Sequence, residues 1–360
     1  MSGTEPPPVR GPFDPEARVV AVTGAHGFLG SQLLQRLEGD RRYAKLLAID
    51  IRRPGFPLRK TQFHKVDLTL PTADADLAAI FLREGVDTVV HVAFLSVPTH
   101  NSAWAHELES IGTMHVLNAA GEARVHKLVM LSTTLVYGAR PQNPNFLSEA
   151  HEPKGHPRSR FINDKLEAER QARRFARENP QAVVTTLRAG ATLGPRIDNF
   201  ATRFFARPVC PVLMGYDPLL QLLHEDDLVE AFRLAVDEDH PGLYNVVGEG
   251  VLPYTTILAM LGRIPLPLPT SIAYRLSQAL WMTQVFDSPP NFLDFIRFLC
   301  VADGDKARRE MGFVPRRDIK ATIADFAGVQ RGGFAAPPAT GSLGSTRGAT
   351  PLAGAGGEGA

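Results

Sequence analysis

Gly24, Gly27 and Gly30 follow directly on the β-prone run Val19 to Val22, and the helix-like segment SQLLQRLEGD comes next. A strand, a glycine turn and a helix in that order aim backbone N–H groups at whatever sits above the sheet, an arrangement suited to a pyrophosphate. Gly24 lets the turn bend, Gly27 lets backbone approach a phosphate, and Gly30 lets helix and strand pack closely. His26, Phe28 and Leu29 occupy the other turn positions and are read as touching the same ligand, His26 facing solvent or cofactor with no chemistry of its own. Asp50 ends the next apolar run, KLLAID, where a carboxylate can accept hydrogen bonds from an adenosine ribose. That carboxylate favours NAD over NADP. Arg52 and Arg53 leave NADP open, because a guanidinium there could hold a 2′-phosphate.

The elements that must hold these residues alternate along the chain. After Asp50 come FHKVDLTL, in which Asp67 ends a run, the helix pattern DADLAAIFLREG, and DTVVHVAF, a buried strand ending at Ala93. A helix is expected across Trp104 to Ala120, a strand over KLVMLST, a loop from Arg140 to Arg160, a helix from Phe161 to Glu178 and a sixth strand at AVVTTLRAG. Buried strands without alternation, separated by helices, predict an α/β fold with a Rossmann-type, doubly wound parallel sheet. Beyond Gly194-Pro195 prolines become frequent and elements shorten, which predicts a smaller C-terminal substrate subdomain with segments returning to the sheet. The expected organisation is a disordered arm over 1–16, a dinucleotide-binding domain over 17–195, a substrate subdomain over 196–330 and a disordered tail over 331–360. The apolar run from Ile264 to Cys300 is expected to be subdomain core, with a greasy substrate wall or a membrane-facing patch as the rival reading.

Composition narrows the function classes. A chain of 360 residues, 44% hydrophobic and 21% charged, can build a large core, and a net charge of +1 gives no electrostatic case for nucleic acid. Cys210 and Cys300 stand apart and suggest ordinary thiols in a reducing, cytoplasmic setting. No apolar N-terminal run reads as a signal peptide, and no stretch is expected to span a membrane.

Taken together, these segments resemble the extended short-chain dehydrogenase/reductase family, in particular its NAD-dependent epimerase/dehydratase branch acting on nucleotide sugars. The resemblance runs from about residue 17 to 328. VTGAHGFLG matches the TGxxGxxG turn, Val66 to Leu68 the adenine-side VDL, and HVAF the small-residue strand end at Ala93. LSTTLVYG matches the strand carrying a catalytic Ser or Thr, LRAGATLGP the LRxxNVYGP segment, LLHEDDLVEA the FIHVDDLAEA pattern, and DGDKARREMGFVP the closing DxxKAxxxLGWxP. The resemblance implies a small-molecule substrate, a nucleotide sugar in most of the branch, and a homodimer paired through helices that include Thr113 to Ala120 and Lys165 to Arg177. It also implies that Thr133 orients the substrate oxygen and that Lys165 holds the nicotinamide ribose, while a Tyr four residues before the Lys takes the hydroxyl proton.

Here the pattern breaks. FINDK stands where YxxxK is expected, so Phe161 occupies the Tyr position. A positioned general base contributes on the order of 10²- to 10⁴-fold in rate, and Phe has no proton to exchange. Glu109 stands where the family has Asn in NVxGT, Ala191 where it has the substrate-side Asn, and Thr134-Leu135 where dehydratases carry Asp-Glu, so elimination of water is not expected. His151 and His156 offer replacement bases, since imidazole titrates near neutrality. His91 reads as a satisfied core histidine, and HEDD at 224–227 as a helix start rather than a metal cluster. The bland readings are a strand-end hydroxyl for Thr133 and a solvated helix face for Lys165. Three functions stay open: a redox or epimerase enzyme with its base moved, a dinucleotide-binding subunit without turnover, and a dehydrogenase of lipid or steroid-like alcohols.

Overall fold

Strands buried on both faces need helices on both sides, and the chain supplies them in alternation. The computed structural model describes residues 17–57, 59–284 and 288–331; the expected arm over 1–16 and the tail beyond 331 lie outside them. In chain order the elements are β1 (Arg18–Thr23), α1 (Phe28–Glu38), β2 (Tyr43–Asp50), β3 (Thr61–Lys65), α2 (Ala73–Glu84), β4 (Thr88–His91), α3 (Ser102–His106), α4 (Gly112–Glu122), β5 (Lys127–Thr133), α5 (Arg160–Glu178) and β6 (Val183–Ala189). They continue with β7 (Ala191–Leu193), α6 (Phe200–Ala206), β8 (Val209–Leu213), β9 (Leu219–Leu220), β10 (Leu222–His224), α7 (Glu225–Asp237), β11 (Gly242–Val246), β12 (Leu252–Pro253), α8 (Tyr254–Met260), β13 (Ile264–Leu268), α9 (Thr270–Met282), α10 (Asp305–Met311) and α11 (Ile319–Arg331).

Seven strands form one parallel sheet in the order β3-β2-β1-β4-β5-β6-β11. Strand order reverses between β1 and β4, and a crevice opens above the carboxyl ends of strands at such a point. Successive residues serve opposite faces: Val20 and Val22 pack with α1 and α7, whereas Ala21 packs with α2, α4 and α5. β4 leaves the ladder at His91, earlier than the expected Ala93, because the chain turns where Phe94 N–H meets the Val92 carbonyl. A third apolar cluster joins β7, α6, β8, α8 and α11.

The run from Ile264 to Cys300 corrects the expectation of core. β13 leaves Ile264 and Leu266 exposed, and α9 buries only Ala273, while Ile272 and Leu276, on one helix face with Ala279 and Leu280, stay exposed. Among the described residues of the run, the turn Pro290–Ile296 packs inward through Phe292, Leu293 and Ile296, and Ala273, Leu268 and Tyr274 pack against the same cluster.

One buried strut ties α5 to the sheet. Arg188 on β6, fully buried, donates to both oxygens of Glu169 at 2.8 and 2.6 Å, and its guanidinium lies 4.5 Å from the Tyr137 ring centroid. Ser132 Oγ donates to the same carboxylate at 2.5 Å. Removing one partner of a buried pair strands the other charge. Arg188→Met is therefore expected to cost about 3 kcal/mol, the low end for such a loss, because Ser132 and Arg173 still face Glu169. A urea titration checks this as a lower midpoint at unchanged slope.

Candidate functional site

The glycine turn closes by contacts that exclude side chains. Gly24 has φ +74°, and a Cβ there would meet the Ala93 backbone at 2.7 Å. A Cβ on Gly30 would lie 2.4 Å from the Gly24 carbonyl oxygen, so the first turn of α1 can sit against the strand end only without one. Gly27 starts α1 with no side-chain cap, and the turn residues from Gly27 to Gly30 line a cavity of about 340 Å³. Uncapped N–H groups and the helix dipole there favour an anion.

Asp50 braces the turn, its Oδ2 accepting from His26 N–H at 3.0 Å and its Oδ1 from Arg52 N–H at 3.1 Å. A carboxylate has about four acceptor positions, so capacity is left for hydroxyls. His26 is exposed, its Nδ1 3.0 Å from the Arg53 carbonyl oxygen. The Arg52 and Arg53 side chains are exposed and make no ion pair with the described residues. Asp67 closes a local turn, accepting from Thr69 N–H at 3.0 Å and Oγ1 at 2.7 Å. Leu68 is buried under Gly112, and neither Asp67 nor Leu68 lines the cavity.

At the other end of β1 and β4's crevice the cavity meets Thr133, Phe161 and Lys165. Ser159 caps α5, which sets Phe161 and Lys165 one turn apart on a single face. The Lys165 ammonium lies 3.8 Å from the Phe161 ring centroid and 5.7 Å from that of Phe94. It donates to Glu109 Oε1, which also accepts from Leu95 N–H at 2.8 Å. Glu109 is fully buried, and its Oε2 has no hydrogen-bond partner among the described residues. Burial pushes the Glu109 carboxyl up and the Lys165 ammonium down, each opposed by the other's charge. Lys165 is thus no solvated helix residue, and Glu109, read from sequence as a lost Asn, is its counter-ion.

What brings Glu109 there is a π-helical turn, Glu107–Ile111, between α3 and α4. Such a turn carries an extra residue and shifts the side chains on it. It is held by a buried chain of hydrogen bonds. Thr113 Oγ1 donates to the Glu109 carbonyl at 2.5 Å, so it can only accept from His91 Nε2–H at 3.0 Å. His91 Nδ1 is left to accept from Thr23 Oγ1 at 2.7 Å.

Other candidates lie elsewhere. Thr133 Oγ1 accepts from Leu135 N–H at 3.3 Å and keeps its proton for another partner, and Thr134 and Leu135 join it on the cavity wall. Tyr137 donates its one proton to Asn245 Oδ1 at 2.8 Å, with the Ser148 carbonyl oxygen 3.1 Å away, and burial pushes its phenol up. His151 bonds Ser148, and His156 Nε2 sits 2.9 Å from Asp294, so neither replacement base lines the cavity. His224 caps α7, Glu225 accepts from Arg196, and Asp227 accepts from the Arg316 and Arg317 N–H groups. Ala191 lines the cavity, as does Cys300, which is half-buried rather than a core thiol, whereas Cys210 is buried. Phe292, Phe295 and Ile296, from the run whose rival reading was a greasy substrate wall, line the cavity together with Phe200, about ninety positions earlier, which no spacing in the sequence marked.

Residues 20–247 match the profile of the NAD dependent epimerase/dehydratase family. An uncharacterized protein of Mycobacterium bovis, Mb0513, is 30% identical over 316 residues, which cover 86% of this chain and 83% of the relative. UDP-glucose 4-epimerase of Thermotoga maritima, solved with UDP-glucose, superposes with a TM-score of 0.67 at 19% identity over 87% of this chain and 99% of its own. UDP-glucuronic acid 4-epimerase of Bacillus cereus, solved with NAD, gives 0.66 at 18% identity over 87% and 99%. At such identities the likeness speaks for the fold.

Buried His91 is held neutral, its pKa pushed down by desolvation to about 3, against about 6.5 for an unfolded histidine. Between those values the unfolded chain binds the extra proton, so this contribution to stability is complete above pH ~6.5 and is lost as pH falls toward 3. His91→Gln is expected to remove about one proton of uptake on unfolding near pH 5. A shallower dependence of unfolding free energy on pH between 7 and 5 checks it.

Proposed function

The chain belongs to the NAD dependent epimerase/dehydratase family, and from that premise we propose that it binds NAD in the crevice at β1 and β4 and acts as an oxidoreductase or epimerase. Its proton, on this reading, is managed by Thr133 and the Lys165–Glu109 pair in place of a phenol. Residues 17–195 would hold the cofactor and the segments of 196–330 would close over the substrate. The turn fits the group: a Cβ would fill the space at Gly24 and Gly30, α1 begins without a side-chain cap, and Asp50 has acceptor capacity left beside the turn. Asp50 supports NAD over NADP, because its carboxylate would repel a 2′-phosphate. When bound, the nicotinamide would supply hydride acceptance and return.

The observation that carries the reading is the position of Lys165. Its ammonium is on the cavity wall with Thr133, while a buried carboxylate holds it from behind. Burial pushes the Glu109 carboxyl up and the Lys165 ammonium down, which narrows the gap a proton passing between them must cross. Thr133 would orient the substrate oxygen with the proton it still has to donate. Phe161, stacked on the ammonium, favours a second reading, a dinucleotide-binding subunit without turnover. Pairing of two copies through α4 and α5 belongs to the same proposal.

Calorimetry on the full chain separates these readings. NAD is expected to bind more tightly than NADP, and Gly30→Val to weaken NAD at least tenfold. Glu109→Gln is expected to leave NAD affinity within twofold while displacing the pH–rate profile of turnover. NAD binding with no turnover of any nucleotide sugar or secondary alcohol would favour the second reading, and no NAD binding would overturn both.

A further inference from the structure

Beyond Thr133 and Phe161 the cavity runs on between Phe200, Phe292, Phe295 and Ile296. The rings are already packed on one another. Phe200 and Phe292 lie 4.2 Å apart between centroids, Phe292 and Phe295 5.9 Å, and Phe161 and Phe292 6.0 Å. Such a wall costs little to order when a ligand arrives, because its side chains have lost their freedom on folding.

The charge of this lining decides what it can accept. Its charged residues among those described are Lys165 and Asp198. Lys165 is held by Glu109, and Asp198 takes a bidentate pair of bonds from Arg203 at 2.7 Å each. The amides are partly engaged as well. Asn199 caps α6 and donates to the Thr192 carbonyl at 2.9 Å, while Gln221 donates to the Gly248 carbonyl and accepts from Ala302 N–H. A diphosphate placed here would lose its hydration and meet, among the described lining residues, only a cation already paired with a buried carboxylate, and an unpaired buried charge is costly. A hydroxyl or carbonyl oxygen, by contrast, has the Thr133 proton waiting at the inner end.

We propose that the substrate side of this cavity takes an uncharged, ring-bearing alcohol or ketone, its oxygen at Thr133 and its rings against Phe200, Phe292 and Phe295. The inference rests on the NAD reading only for which end of the cavity is left to the substrate. It differs from the nucleotide sugars named for the solved neighbours in needing no cationic partner.

The test uses the full chain, with 1-decalone as an uncharged bicyclic probe, UDP-glucose as the charged alternative, and NAD titrated separately by calorimetry. 1-Decalone is expected to bind at least tenfold more tightly than UDP-glucose. Half-buried Phe295 is the variant of choice: Phe295→Asp is expected to weaken the ketone at least tenfold and Phe295→Ala by about fivefold, with NAD affinity within twofold in both. Tighter binding of UDP-glucose, or a ketone affinity unmoved by either substitution, would overturn the proposal. Ketone binding that persists without any NAD binding would support this proposal and overturn the cofactor reading.

Discussion

A buried ammonium must have an anion beside it, and in this protein that requirement shapes the candidate site. Lys165 stands buried on α5 with the Phe161 and Phe94 rings beside it, so its charge is tenable only because Glu109 arrives from the neighbouring helix. Glu109 arrives only because the helix opens into a π-turn. That turn is in turn pinned to the sheet by Thr113, His91 and Thr23, each hydroxyl and ring nitrogen with a single consistent role. Phe161 and Glu109, which look in the sequence like two independent losses, form one arrangement around the same ammonium.

The frame that holds this arrangement is rigid where it has to be. α5 is fixed to the sheet by the Arg188–Glu169 strut, buried and bidentate, whereas exposed pairs on the same helix such as Arg174–Glu178 are screened and contribute little. On the other side of the crevice, α1 is held against the end of β1 by absence: Gly24 and Gly30 approach backbone more closely than any side chain permits. A helix start and a helix face, carried by different strands, thereby face one cavity across the point where strand order reverses.

That cavity has two characters. Near the glycine turn it offers backbone N–H groups; past Thr133 it offers aromatic faces, and among the described residues its charged and amide groups each have a partner within the protein. An interior so arranged discriminates by the cost of stranding charge as much as by the attraction it offers.

Local spacing made much of this legible. The order strand, Gly24-x-x-Gly27-x-x-Gly30, helix, and the carboxylate at Asp50, are relations within one βαβ unit, and the alternation of buried runs with helical segments was enough for the parallel sheet. Phe161 four positions before Lys165 was equally plain, since a helix sets such residues on one face. What the sequence left undecided was every contact between distant segments. Lys165 and Glu109 are 56 positions apart, and their meeting depends on a π-turn that no residue pattern announced. The aromatic wall draws on α6 and on the turn Pro290–Ile296, and the exposure of β13 and α9 contradicted their apolar composition. Periodicity reports which face of an element is apolar; only packing in three dimensions decides what that face meets, and which buried charge finds its partner.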